Sequence, residues 1–293
     1  MKYRFIENHS SEFSVKKMCE VFQVSRSAFY EWRQGHDSHR QKDDVTLLAL
    51  IRAIFSDSRQ TYGHRRIKRV LNKQYHRSVS NQRVRRLMAE AGLVPVQTRR
   101  FKATTNSKHN LPVAPNLLEQ NFTAAKPGEK WCGDITYIAT AEGWLYLATV
   151  IDLYSRRVVG WAVGPRMTKD LVIRAFRQAL QHGDPQPGLI FHSDRGSQYA
   201  SYAFQDLLRG HNVRQSMSKK GDCYDNACAE SFFATLKKEL IHRCRFQTRA
   251  EASLKTLDYI LWYNNKRIHS RLGGCAPSEY EHLYYRKPTS QVA

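Results

Sequence analysis

Residues 130–164, KWCGDITYIATAEGWLYLATVIDLYSRRVVGWAVG, contain three hydrophobic stretches separated by short polar turns. Their alternation and their aromatic and β-branched residues predict β-strands at 130–140, 143–155 and 156–164. Because the connections are only a few residues long, we expect the three strands to run antiparallel as a meander. The stretch therefore predicts one half of a mixed sheet.

Downstream of residue 164 the pattern changes to alternating helices and short buried strands. Helices are predicted at 168–183, 199–210, 225–242 and 249–265, and strands at 188–194 and 212–218. The resulting order, βββαβαβα, is typical of an α/β core with the RNase-H-like arrangement. In that arrangement the first and fourth strands are neighbours in the sheet.

Residues 1–36, which lie well upstream of the core, contain a helix-turn-helix pattern. Apolar residues recur at helical spacing from Val15 onward, and Ser25 is suited to cap a second helix. That helix would present three side chains to a DNA groove, namely Arg26, Tyr30 and Arg33. A small structural hairpin without DNA contact is the alternative interpretation.

Residues 37–94 form a second helical module, in which Ser80 can cap a helix and Gly92 can end it. Its arginines are better suited to phosphate contacts than to base recognition; those selected are Arg65, Arg66, Arg83, Arg85 and Arg86. A basic, proline-containing linker is predicted at 95–129. The catalytic core then spans 130–245, and a C-terminal helix and tail span 246–293.

The charge of the chain points to a polyanionic partner. The 293 residues have a formal net charge of +21, and residues 1–110 contain 23 Lys and Arg against 9 Asp and Glu. A basic N-terminal third of this kind favours nucleic acid binding. A surface charged for solubility is the alternative.

The sequence also excludes several classes of protein. It has no run of about 18 apolar residues, so a membrane span is not expected, and its first residues do not resemble a secretory signal. The six cysteines are scattered without a C-x-x-C pair, which favours free thiols in a reducing cytoplasm.

Three carboxylates occupy positions suited to metal chemistry. Asp134 lies inside the first predicted strand, where a buried acid is costly unless it is paired or metal-bound. Asp194 ends the fourth strand, at the edge where α/β sheets place ligands, and Glu230 lies on the helix predicted at 225–242. Oxygen ligands from two neighbouring strands and a helix suit Mg²⁺ or Mn²⁺, and two such ions can promote phosphodiester chemistry.

These carboxylates lie in an ordered set of motifs that resembles transposases of the DDE, retroviral-integrase superfamily. More narrowly, the chain is similar to the OrfB proteins of the third family of bacterial insertion sequences, over about residues 10–281. The matching motifs are YGHRRI, LPVAPNLL, WCGDITYI, HSDRGSQY, DNACAESFFATLKKE and YNNKRIHSRLGGCAPSEY. The family's spacing of 35 residues separates Asp194 from Glu230. The sequence departs from the family at Ile268, where proline is common.

The resemblance implies a role for each matching residue. Asp134 would bind two Mg²⁺ ions, for which Mn²⁺ can substitute, while Asp194 and Glu230 would each complete the ligands of one ion. Lys237, two helical turns after Glu230, would contact the DNA end, with Asn226 on the same helix face. A solvated helix lysine is the alternative for Lys237. His192 is expected to support Asp194 rather than act as a base.

The resemblance further implies a bacterial, nucleoid-associated DNA transposase that cleaves 3′ ends and joins them to target DNA. It would recognise double-stranded terminal inverted repeats, assemble as a homo-oligomer on DNA, and work with, or fused to, an upstream OrfA product. Two alternatives stay open. One is an RNase-H-like nuclease without strand transfer, and the other is a noncatalytic DNA-binding regulator.

The helix that carries Glu230 lies within GDCYDNACAESFFATLKKEL, residues 221–240. Its apolar stripe is predicted to be buried and comprises Ala229, Phe232, Phe233, Leu236 and Leu240. Glu239 is predicted to lie on the solvated side. Asp152, in the second strand, is predicted to serve the core rather than the metal site.

Overall fold

The computed structural model describes residues 1–34, 39–96, 112–219 and 226–286, which divide into two compact units. The first unit consists of Met1–Asp57 and Gly63–Val94. The second consists of Ser58–Tyr62 and Pro95–Ala293. The predicted module boundary at 94 thus lies at the edge of the first unit, whereas Ser58–Tyr62 groups with the second.

Three short helices begin the first unit: α1 (Lys2–Asn8), α2 (Val15–Val21) and α3 (Arg26–Arg33). Their shared core consists of Ile6, Met18, Cys19 and Phe29. The predicted cap is confirmed, because the Ser25 hydroxyl accepts a hydrogen bond from the Ala28 amide at 3.4 Å. Helix α1 was not predicted from the sequence; it buries only Ile6, and no side chain caps its start.

Three longer helices complete the first unit: α4 (His39–Asp57), α5 (His64–Tyr75) and α6 (Asn81–Glu90). They bury Leu47, Ile51, Ile54, Phe55, Ile67, Val70, Leu71, Val84, Leu87 and Met88. Ser80 caps α6 as predicted, accepting a hydrogen bond from the Arg83 amide at 3.1 Å. Gly92 follows the end of α6 with a φ of +66°, a conformation that glycine adopts without steric cost.

The second unit is built on a five-stranded sheet. Its strands are β1 (Lys130–Thr140), β2 (Gly143–Asp152), β3 (Val158–Gly164), β4 (Ile190–Ser193) and β5 (Arg214–Met217). The order across the sheet is β3-β2-β1-β4-β5. Strands β1, β2 and β3 are antiparallel, while β4 is parallel to both β1 and β5. The predicted meander and the neighbouring positions of the first and fourth strands are confirmed.

Helices pack on this sheet through two hydrophobic clusters. These helices are α7 (Lys169–His182), α8 (Tyr202–Gly210), α9 (Ala227–Glu239) and α10 (Arg249–Asn265), and α11 (Pro277–Tyr285) follows them in the chain. One cluster joins side chains of β1 and β2, among them Cys132 and Leu147, to α9 and α10. The other joins Trp131 and Val150 of the same two strands to α7 and α8.

Part of the predicted linker lies on the core. The Met217 amide donates a hydrogen bond to the Pro115 carbonyl at 3.3 Å, and the Leu117 amide donates to the Ser216 hydroxyl at 2.9 Å. Leu118 is only 2% exposed. The rest of the predicted linker, residues 97–111, lies outside the described residues.

The C-terminal region also contributes to the core. Tyr259, Ile260 and Tyr263 of α10 belong to the same cluster as α9, although the sequence suggested a boundary at 245. Helix α11 was not predicted; its tyrosines pack around Tyr154, whose ring centroid lies 5.1 Å from that of Tyr280. Within the described residues, none of the helices is long and apolar enough to cross a membrane.

Candidate active site

The parallel pairing of β1 and β4 brings two acidic residues to neighbouring positions. Gly133 of β1 is in register with Ser193 of β4, and Asp134 and Asp194 are the next residue in each chain segment. The Asp194 carboxylate accepts a hydrogen bond from the Gly196 amide at 3.0 Å, which fixes the turn after β4. Both aspartates therefore lie where β4 ends, the edge predicted from the sequence.

Close packing behind Asp134 explains the glycine that precedes it. A Cβ on Gly133 would lie 2.4 Å from Cζ of Phe191 and 3.3 Å from the Tyr199 hydroxyl. The Asp134 carboxylate accepts a hydrogen bond from the Ile135 amide at 2.8 Å. Any larger residue at 133 would therefore require the Phe191 side chain beside Asp134 to move.

Helix α9 brings Glu230 to the same region. All five residues of its predicted apolar stripe are buried, as expected. The Asn226 amide group, at the start of the helix, donates a hydrogen bond to the Gly133 carbonyl at 3.5 Å. This hydrogen bond tethers the start of the helix to Gly133, the residue before Asp134. Glu230 lies in the first turn of the same helix.

The acidic side chains influence one another electrostatically. Burial raises the pKa of Asp134 well above its ordinary value, and the charges of Asp194 and Glu230 raise it further. The Ile135 hydrogen bond and the Lys237 charge oppose this rise in the pKa. Glu230 is exposed as a residue, but partial desolvation of its carboxyl still raises its pKa. The charges of Asp194, Glu230 and Lys237 thus all act on the carboxyl group of Asp134.

The donor chemistry of this site fits a divalent cation. Carboxylate oxygens are the ligands that Mg²⁺ and Mn²⁺ prefer, and a bound cation would offset the mutual repulsion of the acids. Within residues 1–34, 39–96, 112–219 and 226–286, no three His, Cys, Asp or Glu side chains are already drawn together as a metal-binding cluster. The charges of Asp194 and Glu230 thus act on Asp134, but the three side chains do not form a closed coordination shell.

Lys237 of α9 lies beside the carboxylates and is only 8% exposed. Its Nζ lies 4.9 Å from the ring centroid of Tyr137, a residue of β1. Desolvation lowers the pKa of Lys237, and the negative charge of Asp134 opposes that effect. The sequence identified Lys237 but not Tyr137; the signal that was available is an aromatic residue three positions after Asp134 in the same strand.

Glu239 is not on the solvated side of α9, so that prediction was wrong. The residue is 6% exposed, and its carboxylate accepts hydrogen bonds from Arg267 at 2.7 and 2.9 Å and from the Tyr259 hydroxyl at 2.8 Å. Glu239 follows Phe232 by seven residues, so helical spacing puts it on the same face as the apolar stripe, where Tyr259 and Arg267 cover it. Glu239 joins α9 to the C-terminal part of the core.

Two other polar residues of the sheet have structural partners. His192 is fully buried and its ring nitrogens lie 2.8 Å from the Ser216 hydroxyl and 3.3 Å from that of Ser218, which ties β4 to β5. Support of Asp194 by His192 stays a prediction. Asp152 accepts hydrogen bonds from the Gly128 and Ser155 amides and from the Ser155 hydroxyl, at 2.7 to 2.8 Å. It organises the turn after β2, as expected of a core residue.

The predicted DNA-binding residues differ in their surroundings. Six are exposed, namely Arg26, Tyr30, Arg33, Arg65, Arg85 and Arg86, and Arg66 is half-buried. Arg83 and Arg86 form ion pairs with two acids at the start of α4: Arg83 lies 2.8 Å from Asp43, and Arg86 lies 2.5 Å from Asp44. Asn226 is buried against β1. Contact of any of these residues with DNA stays a prediction.

The chain matches known protein families along most of its length. Family models described as integrase core domain match residues 124–223 and 230–283, and one described as HTH-like domain matches residues 42–101. Among solved structures, the chain is similar to the HTLV-2 integrase catalytic core domain in complex with magnesium (trimeric form). That likeness has 18% identity and a TM-score of 0.44, over 55% of this chain and 100% of that one.

Two curated relatives match almost end to end. The "Insertion element IS600 uncharacterized 31 kDa protein" of Shigella sonnei is 46% identical over 270 residues, which is 92% of this chain and 99% of the relative. The "Transposase InsF for insertion sequence IS3A" of Escherichia coli (strain K12) is 45% identical over 285 residues, 96% of this chain and 98% of the relative. With its mixed sheet and HTH-like helices, the chain therefore belongs to the family of bacterial insertion-sequence transposases that carry an integrase core domain.

Proposed function

We propose that this transposase cleaves the 3′ ends of an insertion element and transfers them to target DNA in a metal-dependent reaction. The observation that carries the proposal is the electrostatic coupling of Asp134 with Asp194, Glu230 and Lys237 at one edge of the sheet. Structural acids are usually satisfied by several backbone or hydroxyl donors, as Asp152 is, whereas the charges of Asp194 and Glu230 raise the pKa of Asp134.

In the proposed reaction, water attacks the phosphorus at the element's end and the P–O3′ bond breaks. This leaves a 3′-hydroxyl on the element and a 5′-phosphate on the flanking strand. The 3′-hydroxyl then attacks a target phosphorus, forms a new P–O bond and displaces the target's own 3′-hydroxyl. One bond forms and one breaks in each step, so no covalent enzyme intermediate is required.

In this proposal, three carboxylates bind the metal ions and one lysine binds DNA. Asp134, Asp194 and Glu230 would hold two Mg²⁺ ions, or Mn²⁺ in their place, which when bound activate the attacking oxygen and stabilise the leaving one. Lys237 would hold a phosphate of the DNA end, because its ammonium lies at the same edge of the sheet. The Gly196 amide keeps Asp194 oriented towards its neighbours.

DNA recognition is proposed to use the first unit. Exposed cationic and aromatic side chains on α3 and α5 would contact the terminal inverted repeats, with phosphate contacts supplying most of the affinity. Paired cleavage of two element ends would require a homo-oligomer, together with the upstream OrfA product as a partner or as a fused segment. The net charge of +21 is consistent with binding to double-stranded DNA.

A cleavage-and-joining assay tests the proposed function. A labelled duplex that ends in the element's terminal repeat is incubated with the full chain, with target plasmid and with Mg²⁺, Mn²⁺ or EDTA. The proposal predicts a shortened 3′ end and a joined product with either ion, and neither with EDTA. Cleavage without joining would instead identify a nuclease, and binding without cleavage a regulator.

A further inference from the structure

Lys237 is an unusual cation, because it is almost fully covered yet lies at the edge of a site proposed to take DNA. Its side chain is 8% exposed, and the largest influence on its pKa is desolvation. An ammonium held out of water gains from any group that offers it negative charge density. Asp134 provides one such group, and the face of the Tyr137 ring provides another, 4.9 Å from Nζ.

Tyr137 is itself poorly covered. It is 44% exposed, although it lies in a strand whose neighbours at 136 and 138 are buried. Its ring packs edge-to-face against Trp144 of β2, with 4.9 Å between the ring centroids, and Trp144 is 49% exposed. Burial of apolar surface therefore explains neither aromatic residue well, and a contact made by the ring faces is the better account.

Lys237 and Tyr137 lie at similar distances from the proposed metal-binding carboxylates along their own elements. Lys237 follows Glu230 by seven residues, about 10.5 Å along a helix. Tyr137 follows Asp134 by three residues, about 10 Å along a strand. The lysine and the tyrosine are thus displaced from the carboxylates by similar distances along their elements, and the 4.9 Å contact between Nζ and the ring joins them.

We propose that Tyr137 is a positioning residue whose ring, braced by Trp144, holds the Lys237 ammonium ready for a phosphate of the DNA end. The inference rests on the proposed function of Lys237 and adds the residues that orient it. Tyr137 acts through the ring face, so its hydroxyl is dispensable. A cation–π contact at a partly desolvated site corresponds to about a 2- to 30-fold effect on binding.

Substitutions at 137 in the full chain test the proposal, with the dissociation constant for the labelled end duplex and the single-turnover cleavage rate as readouts. Tyr137→Phe should bind DNA like the parent, and Tyr137→Leu should bind about 2- to 30-fold more weakly. Fluorinated phenylalanines at 137 keep the shape of the ring but reduce the electron density on its face. Binding of the end duplex should therefore weaken progressively with each added fluorine. Equal binding by the whole fluorinated series would overturn the proposal.

A double-mutant cycle separates positioning from a merely structural role. In a Lys237→Gln background, Tyr137→Leu should cause no further loss of binding, because the residue acts through the lysine. Additive losses would overturn the proposal, as would parental binding by Tyr137→Leu. The parent's cleavage and joining products are scored in the same experiment, so failure of the proposed function is seen separately from failure of the positioning role.

Discussion

Asp134 and Asp152 are acids of the same sheet, and burial raises the pKa of both, but the two carboxylates differ in their hydrogen bonds. The Asp152 carboxylate accepts three hydrogen bonds, whereas that of Asp134 accepts one and faces Asp194 and Glu230. The pKa of Asp134 is raised on folding, so the folded chain binds this proton more tightly than the unfolded chain. Its contribution to stability therefore falls as pH rises from the unfolded pKa, near 3.8, through the folded one.

This contrast predicts opposite effects of two similar substitutions on the metal-free protein at neutral pH. Asp134→Asn should raise the free energy of unfolding, because it removes a charge that the fold disfavours. Asp152→Asn should lower it by about 1–3 kcal/mol, because an amide cannot accept all three hydrogen bonds. Urea denaturation in EDTA measures both, and a change of the same sign in the two variants would contradict the electrostatic account.

Ile268, where the sequence departs from the family's common proline, has a partner that proline could not keep. Its amide donates a hydrogen bond to the Tyr62 hydroxyl at 2.8 Å, within the second unit. Ile268→Pro should therefore lose about 1 kcal/mol of unfolding free energy. Tyr62→Phe is the matched variant, and the double variant should lose less than the sum of the two. A more stable Ile268→Pro protein would contradict this role.

The sequence was sufficient to select the proposed site residues, but it revealed less about the residues that contact them. The ordered motifs and the 35-residue interval were enough to select Asp134, Asp194 and Glu230. Helical periodicity places Glu239 on the buried face with Phe232, but the sequence could not reveal its ion-pair partner, which is 28 residues away. Tyr137 escaped notice for the same reason, since its contact with Lys237 joins a strand to a distant helix.

At the scale of elements, the buried ion pair between Glu239 and Arg267 holds α9 in place. Both side chains are at most 6% exposed and lie 2.7 Å apart. Arg267→Met should cost about 3–5 kcal/mol of unfolding free energy, because it leaves Glu239 buried without its partner. The pair of Glu251 and Lys255 on α10, which is 2.8 Å apart and much more exposed, is the control. Lys255→Met should cost under about 0.5 kcal/mol of unfolding free energy.

The outcome of that comparison also concerns the site, because α9 carries Glu230 and Lys237. Loss of the ion pair should slow cleavage at temperatures where the variant is still folded. Equal stability losses from Arg267→Met and Lys255→Met would contradict the view that the buried pair anchors the helix.

In the first unit, the start of α4 restrains two arginines of α6. Hydrogen bonds from Arg77 and Arg83 lower the pKa of Asp43, and hydrogen bonds from Arg86 and Arg83 lower that of Asp44, so both acids stay charged at neutral pH. The pairing is lost only as pH falls below about 3.8. Substituting asparagine at both positions should free Arg77 and Arg83 for phosphate, while Arg86 keeps its ion pair with Glu90. The slope of log affinity against log salt should then steepen by up to about 1 for each arginine.

A fluorescence titration of the end duplex at several salt concentrations measures this slope. Asp206→Asn, which removes an acid from the exposed pair with Arg209 on α8, controls for net charge alone. An unchanged slope in the Asp43→Asn, Asp44→Asn double variant would mean that these arginines serve packing rather than DNA.

Elements with strong local signals were predicted well, and short ones were not. Ser25 and Ser80 marked helix starts, and alternation marked β1 and β2 to within a few residues. Helices α1 and α11 each bury a single residue, so no apolar stripe distinguished them. Their stability comes from contacts made across the chain, such as the tyrosine cluster around Tyr154.

At the scale of the whole molecule, the chain divides into a basic helical unit and a larger unit built on the sheet. The sequence indicated this division through its charge, with residues 1–110 carrying most of the excess of Lys and Arg. It could not indicate that Ser58–Tyr62 groups with the second unit. That grouping depends on contacts such as the Arg59–Asp258 ion pair at 2.9 Å, which span about two-thirds of the chain.

The central claim is that Asp134, Asp194 and Glu230 carry the metal-dependent chemistry, and one assay tests it most directly. Joining of a labelled element end to target DNA in Mg²⁺ is compared for the parent and for Asp134→Asn, Asp194→Asn and Glu230→Gln. The account predicts that each variant binds the end but joins it at least about 100-fold more slowly. Parental joining by any of the three variants would contradict it.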